Sequence, residues 1–537
     1  MGSTRRAFHK QALGFVFGAI VPPRLLRRFR GDAPRLVTPV SLSDTVTQQV
    51  NGLISEVPVA VPPEIELLVP TYLGNAQRRF YGRGTPQGLN LLDRFYLGSG
   101  TSVVGGSTST WSGAGWTGQP TLVRDRGTTF LIIGAYDHSL RKLDIAGNRV
   151  VWRYEFDDIL KGSSSIYIDE TAEEDNRVVV LQGSRRGVNN SLSSSFVPSF
   201  RAVSFRTGRE LWRLDIRATD SYSRDNDSSA IYLGNGTIFN VGENAIGYFI
   251  NSSTKKTREN GDFEMPEVYR ELQLYEFEDV GYYGGNLVAE SSPSIFKNRV
   301  YIASGGGRIY GIDIKTHQIV WRFRSGGDLN GTIAISKDGK LFSTLDREKI
   351  PGRGGAFKLD PNKADPDCVE WFLPTLNLGF SEWEGGITGS VALNDEYRAP
   401  DVPPLFATNA IDGNLYIGSQ TQVTGEKVKG PFLDRDYQTP VIVFEKQIGA
   451  SISTPIFTDG NRLVAAGYNG VRLFQIDYEI ARASDALALR GASGNYYRVL
   501  VKEIARFQPG GSFESTPVIW DGIVRICSRD GWMYTLG

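Results

Sequence analysis

Lys161, Asp225, Asp227, Glu290, Asn330, Glu384 and Glu514 each stand a few residues ahead of a short strand-like segment. Brought to one place, this set is rich in carboxylate, with Asn330 as a neutral acceptor. Oxygen donors arriving from several segments suit Ca²⁺, which takes about six to eight of them. The same groups suit a basic segment of a partner. The plainer reading is a hydrated mouth whose charges face water. Trp383, flanked by Glu382 and Glu384 and followed by Gly385-Gly386, is the candidate stacking aromatic, because glycine lets backbone approach a ligand closely. The ligand candidates are therefore Asp227, Glu290, Asn330, Trp383, Glu384 and Glu514. No spacing singles out a catalytic pair.

Other chemistries find less support. Beyond His9 only His138 and His317 occur, both in expected turns of different units and both read as facing solvent. That argues against a histidine metal centre or a Ser-His-Asp triad. Cys368 and Cys527 fall in different units and are read as independent thiols, with pairing left open. Arg185-Arg186 and Lys255-Lys256 read as solvated loop pairs. Trp111, Trp116 and Trp383, taken as exposed, suggest a weaker alternative, a polymer-binding module.

What would position the acidic set is an internal repeat. One phrase recurs as Arg141-Lys-Leu-Asp-Ile-Ala-Gly-Asn-Arg-Val-Val-Trp152, Arg201-Ala-Val-Ser-Phe-Arg-Thr-Gly-Arg-Glu-Leu-Trp212 and Tyr310-Gly-Ile-Asp-Ile-Lys-Thr-His-Gln-Ile-Val-Trp321. A looser copy runs from Gly355-Ala-Phe-Lys-Leu-Asp360 to Trp371. Each reads as strand, polar turn, strand. Asp144 and Asp313 are suited to bond turn N–H groups, while Trp152, Trp212, Trp321 and Trp371 are suited to pack between units.

Eight strand starts accompany these copies: Gln119-Pro-Thr-Leu, Ser163-Ser-Ser-Ile, Ser228-Ser-Ala-Ile, Ser292-Pro-Ser-Ile, Gly331-Thr-Ile-Ala, Thr388-Gly-Ser-Val, Ser453-Thr-Pro-Ile and Ser515-Thr-Pro-Val. Four strands per unit, repeated about an axis, predict an all-β, eight-bladed β-propeller. The chain stops one strand short of a full last blade. Leu91-Leu-Asp-Arg-Phe-Tyr-Leu97 is expected to supply that strand and remove two open edges. Long units carry loop insertions at residues 184–198, 251–269, 394–404 and 480–497. In the last, Ile480-Ala-Arg-Ala-Ser-Asp-Ala-Leu-Ala-Leu489 is expected to be a short helix.

The phrase resembles the quinoprotein-like propeller repeat, Ala-x-Asp-x-x-Thr-Gly-x-x-x-Trp. Thr207-Gly208 and Trp212 match it well, and Ala146-Gly147 and Thr316-His317 match in part. Gly74-Asn-Ala-Gln-Arg-Arg79 resembles the start of such propellers. The likeness covers roughly residues 70–537 and implies the fold. It does not choose between pyrroloquinoline quinone dehydrogenases, which hold Ca²⁺ and lay the quinone between a Trp and an adjacent Cys-Cys disulfide, and cofactor-free scaffolds such as the BamB-like outer-membrane assembly lipoproteins. No Cys-Cys pair occurs here, which favours the scaffolds.

Lys+Arg and Asp+Glu are both 59, so no global basic field for nucleic acid exists. Thr4-Arg-Arg-Ala-Phe-His-Lys10 resembles a twin-arginine export signal and is followed by a modest apolar stretch. His9 replaces the usual Leu, and no Ala-x-Ala site follows. The expected organisation is an export signal at 1–30, a Pro-rich arm at 31–90 along the propeller, and the propeller at 91–537. The expected protein is a monomeric, non-enzymatic scaffold, periplasmic or extracellular. It would bind no cofactor and would hold a protein partner on its loop faces. The alternative is a quinone- and Ca²⁺-dependent dehydrogenase acting on an alcohol or sugar.

Overall fold

The computed structural model describes residues 64–376, 378 and 384–537. The export-like segment and Trp383 lie outside them. Eight four-stranded antiparallel blades ring one axis. Blade 1 runs Thr121–Asp125, Thr128–Gly134, Ser139–Asp144 and Arg149–Glu155 from the axis outward. The other innermost strands are Ser165–Ile168, Ile231–Tyr232, Ser294–Phe296, Ala334–Ile335, Ala392–Leu393, Ile456–Thr458 and Val518–Trp520. Every strand start expected from sequence leads into one of them. In blade 8, Leu91–Tyr96 pairs antiparallel with Trp532–Leu536, so the first strand of the ring completes the last blade as expected.

The hydroxyl residues of the strand starts have a common task. The backbone N–H of Ser229 donates to Ser292 Oγ (3.0 Å), Ser292 to Thr332 Oγ1 (2.8 Å), Thr332 to Ser390 Oγ (2.9 Å), Ser390 to Thr454 Oγ1 (2.9 Å) and Thr454 to Thr516 Oγ1 (3.4 Å). Gln119 closes the circuit, its N–H donating to Ser163 Oγ (2.7 Å) and its Nε2 to the Pro517 carbonyl (2.7 Å). Ser229 Oγ reaches back to the Ser163 carbonyl (2.8 Å). Each blade is thereby tied to the next at the axis, by bonds wholly removed from water.

Residues 65–82 thread into the axial channel, where the inner edges of the innermost strands would otherwise hold unpaired N–H groups. Ile65–Val69 pairs with Thr121–Asp125. The carbonyls of Pro70, Ala76, Gln77 and Tyr81 accept from the N–H groups of Ile166, Ile295, Ile335 and Ile519, in blades 2, 4, 5 and 8. Tyr72 Oη lies 3.0 Å from Thr454 Oγ1 in blade 7, and Tyr81 Oη accepts from Leu393 N in blade 6 at 2.9 Å. Arg78, wholly buried, donates to the carbonyls of Pro293, Ser229 and Tyr72 and to Thr71 Oγ1. Burial pulls its guanidinium down to about 9, with Tyr72 opposing, so it remains charged at neutral pH. All eight blades therefore touch this plug.

The repeat tryptophans sit on outer strands and seal blade to blade. Trp152 Nε1 donates to the Phe205 carbonyl (2.8 Å), Trp321 Nε1 to Lys363 (2.7 Å) and Trp371 Nε1 to Gln420 (3.2 Å), each in the following blade. Trp212 is buried against Phe200. Asp144 Oδ1 accepts from the N–H groups of Ala146 and Gly147, and Asp313 Oδ1 from Lys315 and Thr316. His317 takes the left-handed backbone of Gly208 and stacks on Phe249 of blade 3, so it packs between blades instead of facing solvent.

The expected helix at 480–489 is not formed. The strand Gly470–Ala481 extends through Ile480, and Leu489–Arg490 pairs with Tyr496–Phe507. Cross-strand pairing with a 12-residue neighbour outweighs a short Ala-rich propensity. The insertion at 251–269 holds the hairpin Thr257–Asn260 and Phe263–Pro266.

Replacing Arg78 with Ala strands several buried carbonyls and opens a void. It is expected to cost about 3–5 kcal/mol in urea unfolding. Ser390→Ala, which leaves only the Thr332 N–H without its acceptor, should cost about 1–3 kcal/mol. A plug that merely rests in the channel would make Arg78→Ala no worse than Ser390→Ala.

Candidate acidic funnel

Because strands alternate in direction, the lead-in to each innermost strand shares a face with the turn between that blade's second and third strands. This upper face carries the funnel. The plug enters and leaves at the other face, where Arg126 N bonds the Glu64 carbonyl and Gly84 N bonds Asp459. The upper-face turns add Arg185, expected from sequence as a solvated loop residue, and Glu243, Asp346, Arg347, Glu348 and Arg529, which carry no sequence signal of their own.

The lead-in residues meet these turn residues one by one. Asp225 takes the Nε–H of Arg185 at 2.6 Å and the backbone N–H of Arg186 at 3.0 Å. Arg185 is therefore a half-buried partner of the funnel, not a solvated loop residue. Glu514 pairs with Arg529 at 2.9 Å, and Glu384 pairs with Arg347. Lys161 reaches inward to Asp227, to Glu243 at 3.4 Å and to Glu290 at 3.8 Å. Burial pulls the Lys161 ammonium down, but these carboxylates outweigh it and hold the amine protonated.

Next to this group lies a second one. Asp328, from the blade 5 lead-in, and Asp346 and Glu348, from the blade 5 turn, present carboxylate oxygens within 4.8 Å of one another. Asn286 Nδ2 donates to Asp328 (3.0 Å) and Glu348 N–H to Asp346 (2.9 Å). Asn330 joins the two groups. One end of its carboxamide is 3.3 Å from Asp346 Oδ2, and the other is 3.0 Å from Glu290 Oε2 and 3.1 Å from Asp328 Oδ1.

Of the sequence candidates, Asp227, Glu290 and Asn330 are thus brought together. Glu384 and Glu514 stand apart in arginine pairs, and Trp383 lies outside the described residues. Trp111 is buried against Tyr136 (centroids 5.4 Å), and Trp116 packs on Ile411 and Ile452, so neither is the exposed binding aromatic expected. His138, expected to face solvent, bonds the Thr101 carbonyl at 2.8 Å beneath the hairpin Ser99–Val104 and Ser107–Ser112. That hairpin, inserted between blades 8 and 1, was not foreseen.

Carboxylates outnumber cations here, and burial sets their acidity. Burial, reinforced by neighbouring acids and opposed by Lys161, pushes Asp227 up to about 6, Glu290 to about 7 and Glu243 to about 8. Asp328 and Asp346 rise well above the usual range through burial and then their acidic neighbours. Burial also opposes ionisation of Asp225, but Arg185 and Lys161 together hold it below its ordinary value.

No protein-family model and no curated protein sequence matches the chain. Among solved structures, BamB from Moraxella catarrhalis is similar at 12% identity, with 83% of this chain and 97% of that chain covered and a TM-score of 0.48. The quinone of the large dehydrogenases would need an adjacent cysteine pair over an aromatic floor. Cys368, in the outer turn of blade 5, and Cys527, in the second strand of blade 8, are each buried and free. The described residues do not assemble that sandwich.

Glu243 binds its proton more tightly folded, at about 8, than at the ordinary 4.5. The stabilisation from that proton is complete below the ordinary value and is lost as pH rises through the folded one. Glu243→Gln carries a neutral amide at every pH. Its thermal midpoint relative to the parent protein should therefore climb between about pH 5 and pH 8. A difference that does not vary with pH would mean that Glu243 is ionised throughout.

Proposed function

We propose that this protein is a non-enzymatic propeller scaffold whose acidic upper funnel and surrounding rim hold a basic segment of a protein partner. The observation that supports this most is the excess of buried carboxylate at one mouth of a channel whose other end is filled by the chain's own residues 65–82. The plug is itself an extended segment held by the innermost strands, so the fold already accommodates peptide along its axis. Asp227, Glu243 and Glu290 surround the chain's own ammonium, that of Lys161, which supports a cationic guest at the mouth.

The rim supplies apolar contact. The helix Phe277–Tyr283 follows the outer strand of blade 3 onto the upper face. Its Phe277 is 92% exposed and its Tyr282 is 55% exposed. An aromatic pair beside an acidic funnel suits a segment that mixes Lys or Arg with apolar residues. Among the described residues no helix is long and apolar enough to cross a membrane. Placement in the cell envelope rests on the twin-arginine-like Thr4–Lys10 stretch.

The test uses a fluorescein-labelled Lys/Arg-rich peptide and an acidic peptide of equal length. The basic peptide is expected to bind, more weakly as salt rises, and Glu290→Gln and Phe277→Ala should each reduce its affinity. Equal behaviour of the two peptides, or no binding of either, would sink the reading.

A further inference from the structure

The hairpin Ser99–Val104 and Ser107–Ser112 lies over the upper face on the side of blades 1 and 2, and its two strands pair only with each other. The chain enters and leaves it through Gly98 and Gly113. Both take the left-handed backbone that glycine tolerates (φ 90° and 73°), and the Gly113 N–H donates to the Gly98 carbonyl at 2.9 Å. Every residue from Gly105 to Thr110 is exposed. A two-stranded hairpin is marginal in water by itself, so this one depends on what it rests upon.

Its supports are few. Val104 packs on the cluster of Trp111, Tyr136 and Ile159. His138 Nε2 lies 2.8 Å from the Thr101 carbonyl. Arg185 holds the middle of the first strand, its Nη1 donating to Ser102 Oγ at 2.7 Å and to the Val103 carbonyl at 3.2 Å, and Ser102 in turn bonds Asp158. Through Nε the same guanidinium holds Asp225 at 2.6 Å. One side chain thus joins the hairpin to a carboxylate of the funnel. With Arg185 in place Asp225 is 3% exposed, so a cation arriving from the mouth meets Arg185 first.

We propose that this hairpin is a strap over the funnel, latched by Arg185, and that a cationic side chain seating on Asp225 releases it. The inference rests on the partner reading for the source of that side chain, a Lys or Arg of the basic segment. Release is an exchange of ion pairs. Asp225 Oδ2 is held by Arg185 Nε and Oδ1 by the Arg186 N–H. An incoming cation on Oδ2 takes the acceptor of Nε and repels the guanidinium beside it. Arg185 then turns away, and Ser102 and Val103 lose their donor in the same event. The glycines at both ends let the hairpin pivot without disturbing blade 8 or blade 1. Occupancy of the funnel is thereby reported at a surface that the partner itself need not touch.

Hydrogen exchange read by mass spectrometry on the full chain follows the strap through peptides covering residues 99–112. Arg185→Gln should speed exchange there at least about tenfold, because a charge-assisted hold is lost, and should leave the buried strand Leu341–Leu345 as in the parent protein. Asp225→Lys puts a cation at the proposed seat with no partner present and should have the same effect. Asp225→Asn, a milder change, should give a smaller increase. Unchanged exchange in Arg185→Gln would overturn the latch. Acceleration in Arg185→Gln with none in either Asp225 variant would overturn the link to the funnel. Added to the parent protein, the fluorescein-labelled Lys/Arg-rich peptide should also speed exchange at 99–112, and binding that leaves it unchanged or slows it would overturn release. Failure of that peptide to bind would strike the partner reading, while the Arg185 and Asp225 variants would still decide the strap.

Discussion

Eight innermost strands meeting at an axis present their inner edges to a space too narrow for another sheet, and those edges must be paired. The rest of the structure depends on how this is met. At the upper end, the hydroxyl of each strand start takes the N–H of its counterpart one blade back, from Ser229 round to Thr516, and Gln119 bridges the seam. Below that circuit, residues 65–82 bring carbonyls to N–H groups of the innermost strands of blades 2, 4, 5 and 8. Both devices use short polar bonds shielded from water, where an unmade bond costs more than a made one yields.

This arrangement explains the contrast between the two ends of the channel. The channel itself is filled by backbone and by one arginine, Arg78, whose charge is spread over carbonyls instead of being cancelled by an acid. The upper end gathers more carboxyl groups than cations, and burial raises the pKa values of several of them. Lys161, Arg185 and Arg529 pair with Asp227, Asp225 and Glu514, and in the blade 5 group Lys349 reaches Glu348.

Much of the fold was legible because it is written in small repeating words. The Ser/Thr starts and the Asp-to-Trp spacing reflect local bond or packing needs that recur in several blades, and the strand at 91–97 fills the place the last blade leaves open. Arg78 was not legible: it occurs once, and its acceptors are backbone carbonyls from Tyr72, Ser229 and Pro293, which leave no side-chain signature. Glu243, Asp346 and Glu348 were within reach. Counting strand direction would have placed the second turn of each blade beside the lead-ins, and those turns are where half the funnel comes from. Residues 480–489 misled because helical propensity is local, whereas the pairing of Tyr497 with Ile480 is decided by a strand that comes later.

The plug changes what kind of cooperative system this is. A ring of similar units linked only to their neighbours behaves as a one-dimensional array, and a weak unit can open without disturbing distant ones. Here one stretch of 18 residues is shared by all eight blades, and it lies ahead of every blade in the chain. Loosening any blade withdraws a partner from that common segment, and its loss is felt by the other seven at once. The nearest-neighbour array becomes an all-to-one network, in which the free energy of opening one blade approaches that of opening them all.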